Sequence, residues 1–520
     1  MGKTLASPRG GQGFESRRVS IRGGHGLVFG SGFLDSAYYN GQRPGHPGKP
    51  ILKAITLHIF KPFSLFFLCV SMTMIIRSLI RFGKRHLHTI VSREIIKPSS
   101  PTPSHLRTYN LSAIDQMISH AYMPMVAFFP NTSIHLTSHD KTLDLKNSLS
   151  QTLTKYYPFA GRFEKVAPSF VDCNDNGAEF LEALIDTTLS DFLQNSHHED
   201  LDQFFPLGLI YFNSDDLERE EVIPLAIQVN HFECGGVAVA VSMTHKIADG
   251  SSMVHFINDW AKTTRFCSNN QKKESLIDPI FKSFEYMNMN CKGLSDDLEW
   301  KECVTTSFMF PNSMLNELKV KVKAMAAESG EPIPNIPTRV EVLNWHLYNR
   351  AVKSASKNKS GLFKFKPTGV YHIANLRRIM IETLDKKNIG NFAISLEILT
   401  KNESEMNPGS FINELQTKKL ECLGIKNIET VCDFVSNGSL EEQESAFDDM
   451  YTCSSMCCFD AYEIDFGWGK PVKVTLGGNC GKNSFILMDA PNMDGIEALV
   501  CLETQDMANI ERDPEFLACV

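Results

Sequence analysis

Apolar residues near the middle of the chain are spaced as in a strand followed by a short loop and a helix. Residues 236–244 form an apolar run, which is typical of a buried strand. After Gly250, apolar side chains recur every three or four residues, as in a helix with one buried face: Met253, Phe256, Ile257 and Trp260. Asp249 or Ser251 is the expected N-cap of that helix. Residues 245–249 are therefore predicted to form the connecting loop.

The rest of the chain from about residue 90 mixes both kinds of pattern. Helical spacing is found at 145–156, 312–326 and 338–353, and apolar runs predict strands near 472–476, 484–489 and 495–502. Residues 264–300 are polar and aperiodic, which indicates an exposed crossover. We therefore expect a mixed α/β protein with two domains, residues 89–263 and 301–520, joined by that crossover.

The first 88 residues differ from the rest. Residues 1–50 contain twelve glycines and few residues that could build a core, so we expect disorder there. Residues 63–76 are apolar with basic residues on both sides, but fourteen residues are fewer than the roughly twenty needed to span a membrane. Three interpretations remain open: a marginal membrane anchor involving residues 63–80, an organelle-targeting region, or a translated stretch outside the working protein. We favour the third.

Length, charge and cysteines limit the class of protein. The chain has 520 residues, more than one hydrophobic core usually serves. Residues 1–90 hold 13 Lys/Arg against 2 Asp/Glu, whereas the remainder holds 39 against 58. Such an acidic body argues against a nucleic-acid partner. The 14 cysteines show no disulfide framework and no zinc spacing, which favours a reduced, cytoplasmic setting without a bound metal.

The first candidate for chemistry is the string His-Lys-Ile-Ala-Asp-Gly at 245–250. A histidine at the end of a strand can act as a base near neutral pH on a rigid support. Alone, a histidine followed by an aspartate is more often structural than catalytic. Nothing resembles the Gly-x-Ser-x-Gly elbow that presents a serine nucleophile.

The second unusual string is Asp-Phe-Gly-Trp-Gly at 465–469. Glycines permit tight backbone geometry, and the indole of Trp468 offers a large apolar surface with one donor. Taken alone, this string indicates a packed turn at a domain junction. The glycine-rich residues 477–482 lack the spacing of a phosphate-binding loop and are expected to form a hairpin turn.

Together and in this order, the two strings resemble the plant BAHD acyl-CoA-dependent acyltransferases, and within them the alkaloid O-acetyltransferases. Other segments agree with the family in order: Leu-Ser-Ala-Ile-Asp-Gln at 111–116, Tyr-Pro-Phe-Ala-Gly-Arg at 157–162, Cys-Asn-Asp-Asn-Gly at 173–177, Phe-Glu-Cys-Gly-Gly at 232–236, Asn-Leu-Arg at 375–377 and Gly-Asn at 390–391. The resemblance runs from about residue 90 to the C-terminus, which makes residues 1–88 an unusual addition.

The resemblance implies a two-domain fold like that of chloramphenicol acetyltransferase, with a channel between the domains. Acyl-CoA would enter one face as a co-substrate, and a small-molecule alcohol would enter the other. No permanently bound cofactor and no metal are implied, and a monomer is expected. The predicted reaction is transfer of acetyl, or another short acyl group, to a hydroxyl of a plant specialised metabolite such as an alkaloid.

Residue roles follow from the same resemblance. His245 would be the general base in a ternary complex without an acyl-enzyme. The carboxylate of Asp249 would point away from the channel and pair with Arg339, which shapes the loop next to Gly250. Asp465, Gly467, Trp468 and Gly469 are expected to be structural, although the Trp468 indole could face the oxyanion. Asn375 and Arg377 are expected near CoA.

One departure from the family matters. Close relatives read Ser-Trp-Cys-Arg before the second motif, whereas Met456 and Cys458 replace the tryptophan and the arginine in this chain. Altered substrate choice or reduced activity would follow. An N-acyltransferase, an aromatic-acyl transferase and a catalytically silent ligand-binding homologue therefore stay open as alternatives.

Overall fold

The computed structural model describes most of the chain from residue 88 onward. The described residues are 88–118, 121–132, 135–164, 168–207, 209, 221–269, 278–281, 303–356, 365–380, 384–425, 431 and 449–520. The predictions for residues 1–87 and for most of the crossover fall outside them. Within the described part, no helix combines the length and the apolar character needed to cross a bilayer.

Most strands belong to two six-stranded sheets. In chain order the strands are β1 (His88–Ile96), β2 (Thr108–Asn110), β3 (Tyr122–Phe129), β4 (Phe163–Glu164), β5 (Phe170–Asp172), β6 (Ala178–Ile185), β7 (Glu221–Val222), β8 (Leu225–Phe232), β9 (Val237–Thr244), β10 (Ile280–Phe281), β11 (Cys303–Pro311), β12 (Thr368–Asn375), β13 (Asn388–Ile389), β14 (Ala393–Thr400), β15 (Asp449–Ser455), β16 (Lys473–Leu476), β17 (Ser484–Asp489) and β18 (Gly495–Glu503). The first sheet has the order β1-β6-β8-β9-β3-β16, and the second has the order β11-β18-β17-β15-β12-β14.

Helices cover the sheets. They are α1 (Ala113–Met117), α2 (Ser138–Lys155), α3 (Leu189–Asn195), α4 (Gly250–Asn269), α5 (Asn312–Glu328), α6 (Arg339–Ser356), α7 (Pro408–Glu421), α8 (Thr504–Ile510) and α9 (Pro514–Leu517). Helices α2, α4, α5 and α6 match the predicted helical segments, whereas α7 was not predicted. Helix α2 begins at a capping box in which the Thr137 side chain accepts from Asp140 N and the Asp140 carboxylate accepts from Thr137 N.

The strand, loop and helix predicted around residue 245 are confirmed. All eight residues of β9 are buried, and β9 lies between β8 and β3 inside the first sheet, antiparallel to both. Asp249 is the cap of α4, because its Oδ1 accepts a hydrogen bond of 2.8 Å from Ser252 N. A buried central strand and a capped helix thus hold the ends of the loop.

The linear division into two domains needs a correction at its C-terminal end. Strand β16 pairs with β3 in the first sheet, although it lies within the second half in sequence, before β17 and β18. Phe466 and Trp468 of the second motif pack in the core of the first half as well. Residues 264–269, assigned to the crossover, instead complete α4.

The expected hairpin at 477–482 is wrong for the same reason. Strand β16 lies in the first sheet and β17 lies in the second, so the glycine-rich segment links the two sheets. It is held on the first half, where Gly477 N donates to Pro124 O and Gly478 N donates to the Asp202 carboxylate.

Candidate active site

His245 stands directly after β9, at the end of the first sheet. Its backbone N–H donates to Ala121 O at 2.6 Å, which continues the pairing of β9 with β3 by one residue. Its side chain is partly exposed, while Thr244 before it and Lys246 after it are buried. The imidazole is thus a reachable group on a rigid backbone.

Asn391 of the second half holds the imidazole ring. Its Oδ1 lies 3.0 Å from His245 Nδ1, and its Nδ2 donates to His245 O at 2.7 Å. An amide oxygen carries no hydrogen, so Nδ1 must be the protonated ring nitrogen in a neutral His245. Nε2 then carries the free lone pair, as a general base requires.

Asp249 serves the loop rather than the imidazole. Its Oδ2 accepts from Arg377 Nη1 at 2.6 Å and from Phe392 N at 3.0 Å. Its backbone N–H donates to Gly390 O at 3.3 Å. Burial favours the neutral acid, but Arg377 and the backbone donors outweigh it and hold the pKa of Asp249 below its ordinary value. The expected pairing of Asp249 with an arginine is therefore what the structure has, and its predicted orientation away from a channel stays a prediction.

The arginine that pairs with Asp249 is Arg377, so the predictions for Arg339 and Arg377 are both wrong. The Arg377 side chain is only 3% exposed. Besides Asp249, its guanidinium bonds to Ser252 Oγ at 2.8 Å and to Asn388 O at 2.8 and 3.0 Å. These bonds leave it in the interior, unavailable to CoA phosphates.

Arg339 is the first residue of α6 and lies away from Asp249. Its Nη1 donates to Asn312 Oδ1 at 2.5 Å, at the start of the neighbouring helix α5. It thus connects two helix starts.

Asn375 ends β12 and caps a short turn by accepting from Arg377 N at 3.0 Å. Asn375 is half-buried, and its role near CoA stays a prediction.

Gly250 begins α4 under a side chain from the second half. A β-carbon at Gly250 would lie 3.0 Å from Cε of Met456. Met456 is one of the two departures from the family pattern and is buried at this position. Cys458, the other departure, is exposed and has a positive φ of 63°. Its backbone N–H donates to the Asp489 carboxylate at 2.6 Å.

The second motif forms a turn around Asp465, as expected. Asp465 Oδ1 accepts from Gly467 N at 2.8 Å and from Gly469 N at 3.0 Å. Both glycines have positive φ, 100° and 90°, which explains the residue type. Trp468 is buried edge-to-face against Phe129.

The position of Trp468 excludes it from the oxyanion. Phe129 pairs with Val237 at the start of β9, whereas His245 follows the end of that strand. Eight strand residues at about 3.3 Å each separate the two ends by roughly 25 Å. The indole is therefore structural, and the possibility that it faces the oxyanion is wrong.

The assembled site is a histidine whose Nδ1 is held by Asn391, beside a buried ion pair. This arrangement can take a proton from a hydroxyl through the Nε2 lone pair. Asn391 and Ser252 were not predicted as site residues. The string Gly-Asn at 390–391 marked the segment, but its spacing from His245 carries no signal of contact.

Known proteins match this chain over most of its length. The profile of the Transferase family matches residues 87–517. The chain is 36% identical over 432 residues to akuammiline synthase 1 of Alstonia scholaris, covering 82% of this chain and 96% of that protein. It is 33% identical to deacetylvindoline O-acetyltransferase of Catharanthus roseus, covering 84% of this chain and 99% of that protein.

A solved structure is similar as well. The crystal structure of vinorine synthase superimposes with a TM-score of 0.66 and 31% sequence identity, covering 84% of this chain and 98% of that one. The predicted two-domain α/β fold is therefore confirmed.

Proposed function

Because this chain belongs to the Transferase family, the BAHD acyltransferases, we propose that it transfers an acetyl group from acetyl-CoA to a hydroxyl of a plant specialised metabolite such as an alkaloid. The name of the deacetylvindoline relative supports both the acetyl group and the oxygen acceptor. The acyl-CoA is a co-substrate that leaves as CoA.

The observation that carries the proposal is the hydrogen-bonded state of His245. Asn391 Oδ1 occupies the Nδ1 side of the ring at 3.0 Å, so the basic lone pair lies on Nε2. The partly exposed side chain leaves the imidazole reachable by a substrate. A buried His with both nitrogens engaged could not serve as a base.

In the proposed reaction, Nε2 of His245 takes the hydroxyl proton while the alcohol oxygen attacks the thioester carbonyl. A new C–O bond forms, and the carbonyl oxygen becomes an oxyanion. The oxyanion collapses, the C–S bond breaks, and the CoA thiolate takes the proton from the imidazolium. General-base assistance of this kind contributes roughly 10²–10⁴-fold. No acyl-enzyme is required.

Asp249 and Arg377 contribute to this reaction through the backbone. Their ion pair joins the start of α4 to the segment that carries Gly390, Asn391 and Phe392. The imidazole and its amide partner come from different halves, so their contact depends on that junction. A charge-assisted pair that holds a base in place affects the rate without touching substrate.

The test is an acceptor panel. The full chain is incubated with acetyl-CoA and a set of hydroxylated alkaloids, simple alcohols and amines, and products are identified by mass spectrometry. We expect an acetyl ester of at least one hydroxylated alkaloid, formed at least about a hundredfold more slowly by His245→Ala. Amides alone, or no CoA release with any acyl donor and acceptor, would contradict the proposal.

A further inference from the structure

A short helix, α1, lies against the Asn391 side chain. Its only acidic residue, Asp115, is buried. Asp115 Oδ1 accepts from Asn391 Nδ2 at 2.9 Å and from Asn391 N at 3.3 Å. Its Oδ2 accepts from Ser112 N at 2.8 Å, which forms half of a capping box. One carboxylate therefore joins the start of α1 to the partner of the imidazole.

Lys246, next to His245, holds the other end of α1. Its Nζ donates to Gln116 O at 3.0 Å and also to Ile118 O. The helix is thus tied at its start to Asn391 and at its end to the residue after the base. The Asp115 carboxylate has little freedom to move away from the Asn391 amide.

We propose that Asp115 is a positioning residue that holds Asn391 in the amide orientation which leaves Nε2 of His245 unprotonated. This inference rests on the proposed function, in which His245 is the base. Asp115 is buried, and in this proposal it acts on His245 only through the Asn391 amide.

The physical reason is the donor and acceptor pattern around the Asn391 side chain. Its Nδ2 faces two acceptors, Asp115 Oδ1 and His245 O. If the amide turned by 180°, Oδ1 would face both acceptors and Nδ2 would face His245 Nδ1. The ring would then have to accept at Nδ1 and carry its proton on Nε2, which removes the base.

Asp115→Asn tests this step with little change in size. A carboxylate offers two acceptor oxygens, whereas the amide of asparagine offers one. That oxygen can serve either Ser112 N or Asn391, but not both as in the native protein. We expect kcat to fall by about tenfold to a hundredfold, the range found for groups that orient metal-bound histidines elsewhere. KM for acetyl-CoA should change little.

Ser112→Ala is the matched control. It removes the hydroxyl that accepts from Asp115 N at 3.1 Å, so it damages the same capping box without touching Asn391. Both variants should lower the melting temperature, but only Asp115→Asn should lower kcat by tenfold or more. An equal fall in kcat for both would overturn the proposal.

A double-mutant cycle with Asn391→Ala separates positioning from a general loss of structure. If Asp115 acts through Asn391, the kcat of the double variant equals that of Asn391→Ala to within about twofold. Additive losses would contradict the proposal. Should Asp115→Asn not fold, Asp115→Ser replaces it with the same expected and contrary results.

A spectroscopic readout completes the test. In ¹⁵N-histidine-labelled protein, long-range ¹H–¹⁵N correlations report which ring nitrogen of His245 carries the proton. We expect the Nδ1–H form in the native protein and a gain of the Nε2–H form in Asp115→Asn. An unchanged tautomer would overturn the proposal. If His245→Ala keeps its activity, the proposed function itself fails; if only Asp115→Asn does, this inference alone fails.

Discussion

The chemistry of His245 depends on a residue 146 positions further along the chain. Its imidazole would be free to rotate and to exchange tautomers without Asn391, whose side chain binds both the ring and the backbone of the same residue. In the proposed mechanism, local sequence provides the base, and a distant amide determines which of its nitrogens can act.

The ion pair beside this site gives a direct residue-scale prediction. Arg377→Gln leaves the buried Asp249 carboxylate without its cation, so the free energy of unfolding should fall by about 3–5 kcal/mol and kcat should fall with it. Arg339→Gln is the matched control and should cost about 1 kcal/mol, the usual net worth of one hydrogen bond. Chemical denaturation of both variants measures the difference.

Equal losses of stability in the two variants, or a larger loss for Arg339→Gln, would contradict the observed pairing. The sequence alone could not show which of the two arginines pairs with Asp249. The two arginines have the same chemistry, and nothing in the spacing from Asp249 to either one encodes contact. Arg377 pairs with Asp249 because β12 ends close to the loop that follows β9.

At the scale of elements, the strand–loop–helix around His245 was predictable because its signals are local. The apolar run of β9, the apolar spacing of α4 and the Asp249 cap all lie within 35 residues. Strand β16 was different, since Lys473–Leu476 is followed by a glycine-rich segment and another strand, as in a hairpin. Long-range pairing with β3 overrides that local signal.

The segment between β16 and β17 gives a pH-dependent prediction. Burial raises the pKa of Asp202, which accepts from Gly478 N, to about 6. An aspartate in the unfolded chain has a pKa of about 3.9, so the folded protein binds the Asp202 proton more tightly. The free energy of unfolding therefore falls as the pH rises between these two pKa values. Asp202→Asn keeps an acceptor without the charge and should raise the melting temperature at pH 8.

This gain should shrink as the pH is lowered toward 5, because the native carboxyl then takes up its proton. Asp200→Asn removes a neighbouring charge that also raises the pKa of Asp202, so it should give a smaller gain with the same pH dependence. Thermal unfolding at both pH values is the measurement. A gain of the same size at pH 5 and pH 8 would show that titration of Asp202 is not its cause.

At the scale of the whole molecule, the site exists only where the two halves meet. His245 and Asp249 follow the first sheet, whereas Arg377 and Asn391 follow strands β12 and β13 of the second half. Strand β16 and the Asp465–Gly469 turn belong to the second half in sequence but pack in the first half, which joins the two halves further. The sequence motifs indicated the family correctly, but the junction depends on pairings that no motif records.

The central claim is that His245 supplies the base for acyl transfer. The most direct measurement is kcat of His245→Ala against the native chain, at saturating acetyl-CoA and saturating acceptor, with CoA binding and the melting temperature measured in parallel. The account predicts a fall of roughly 10²–10⁴-fold in kcat with CoA affinity and melting temperature nearly unchanged. A kcat within a few-fold of the native value would contradict it.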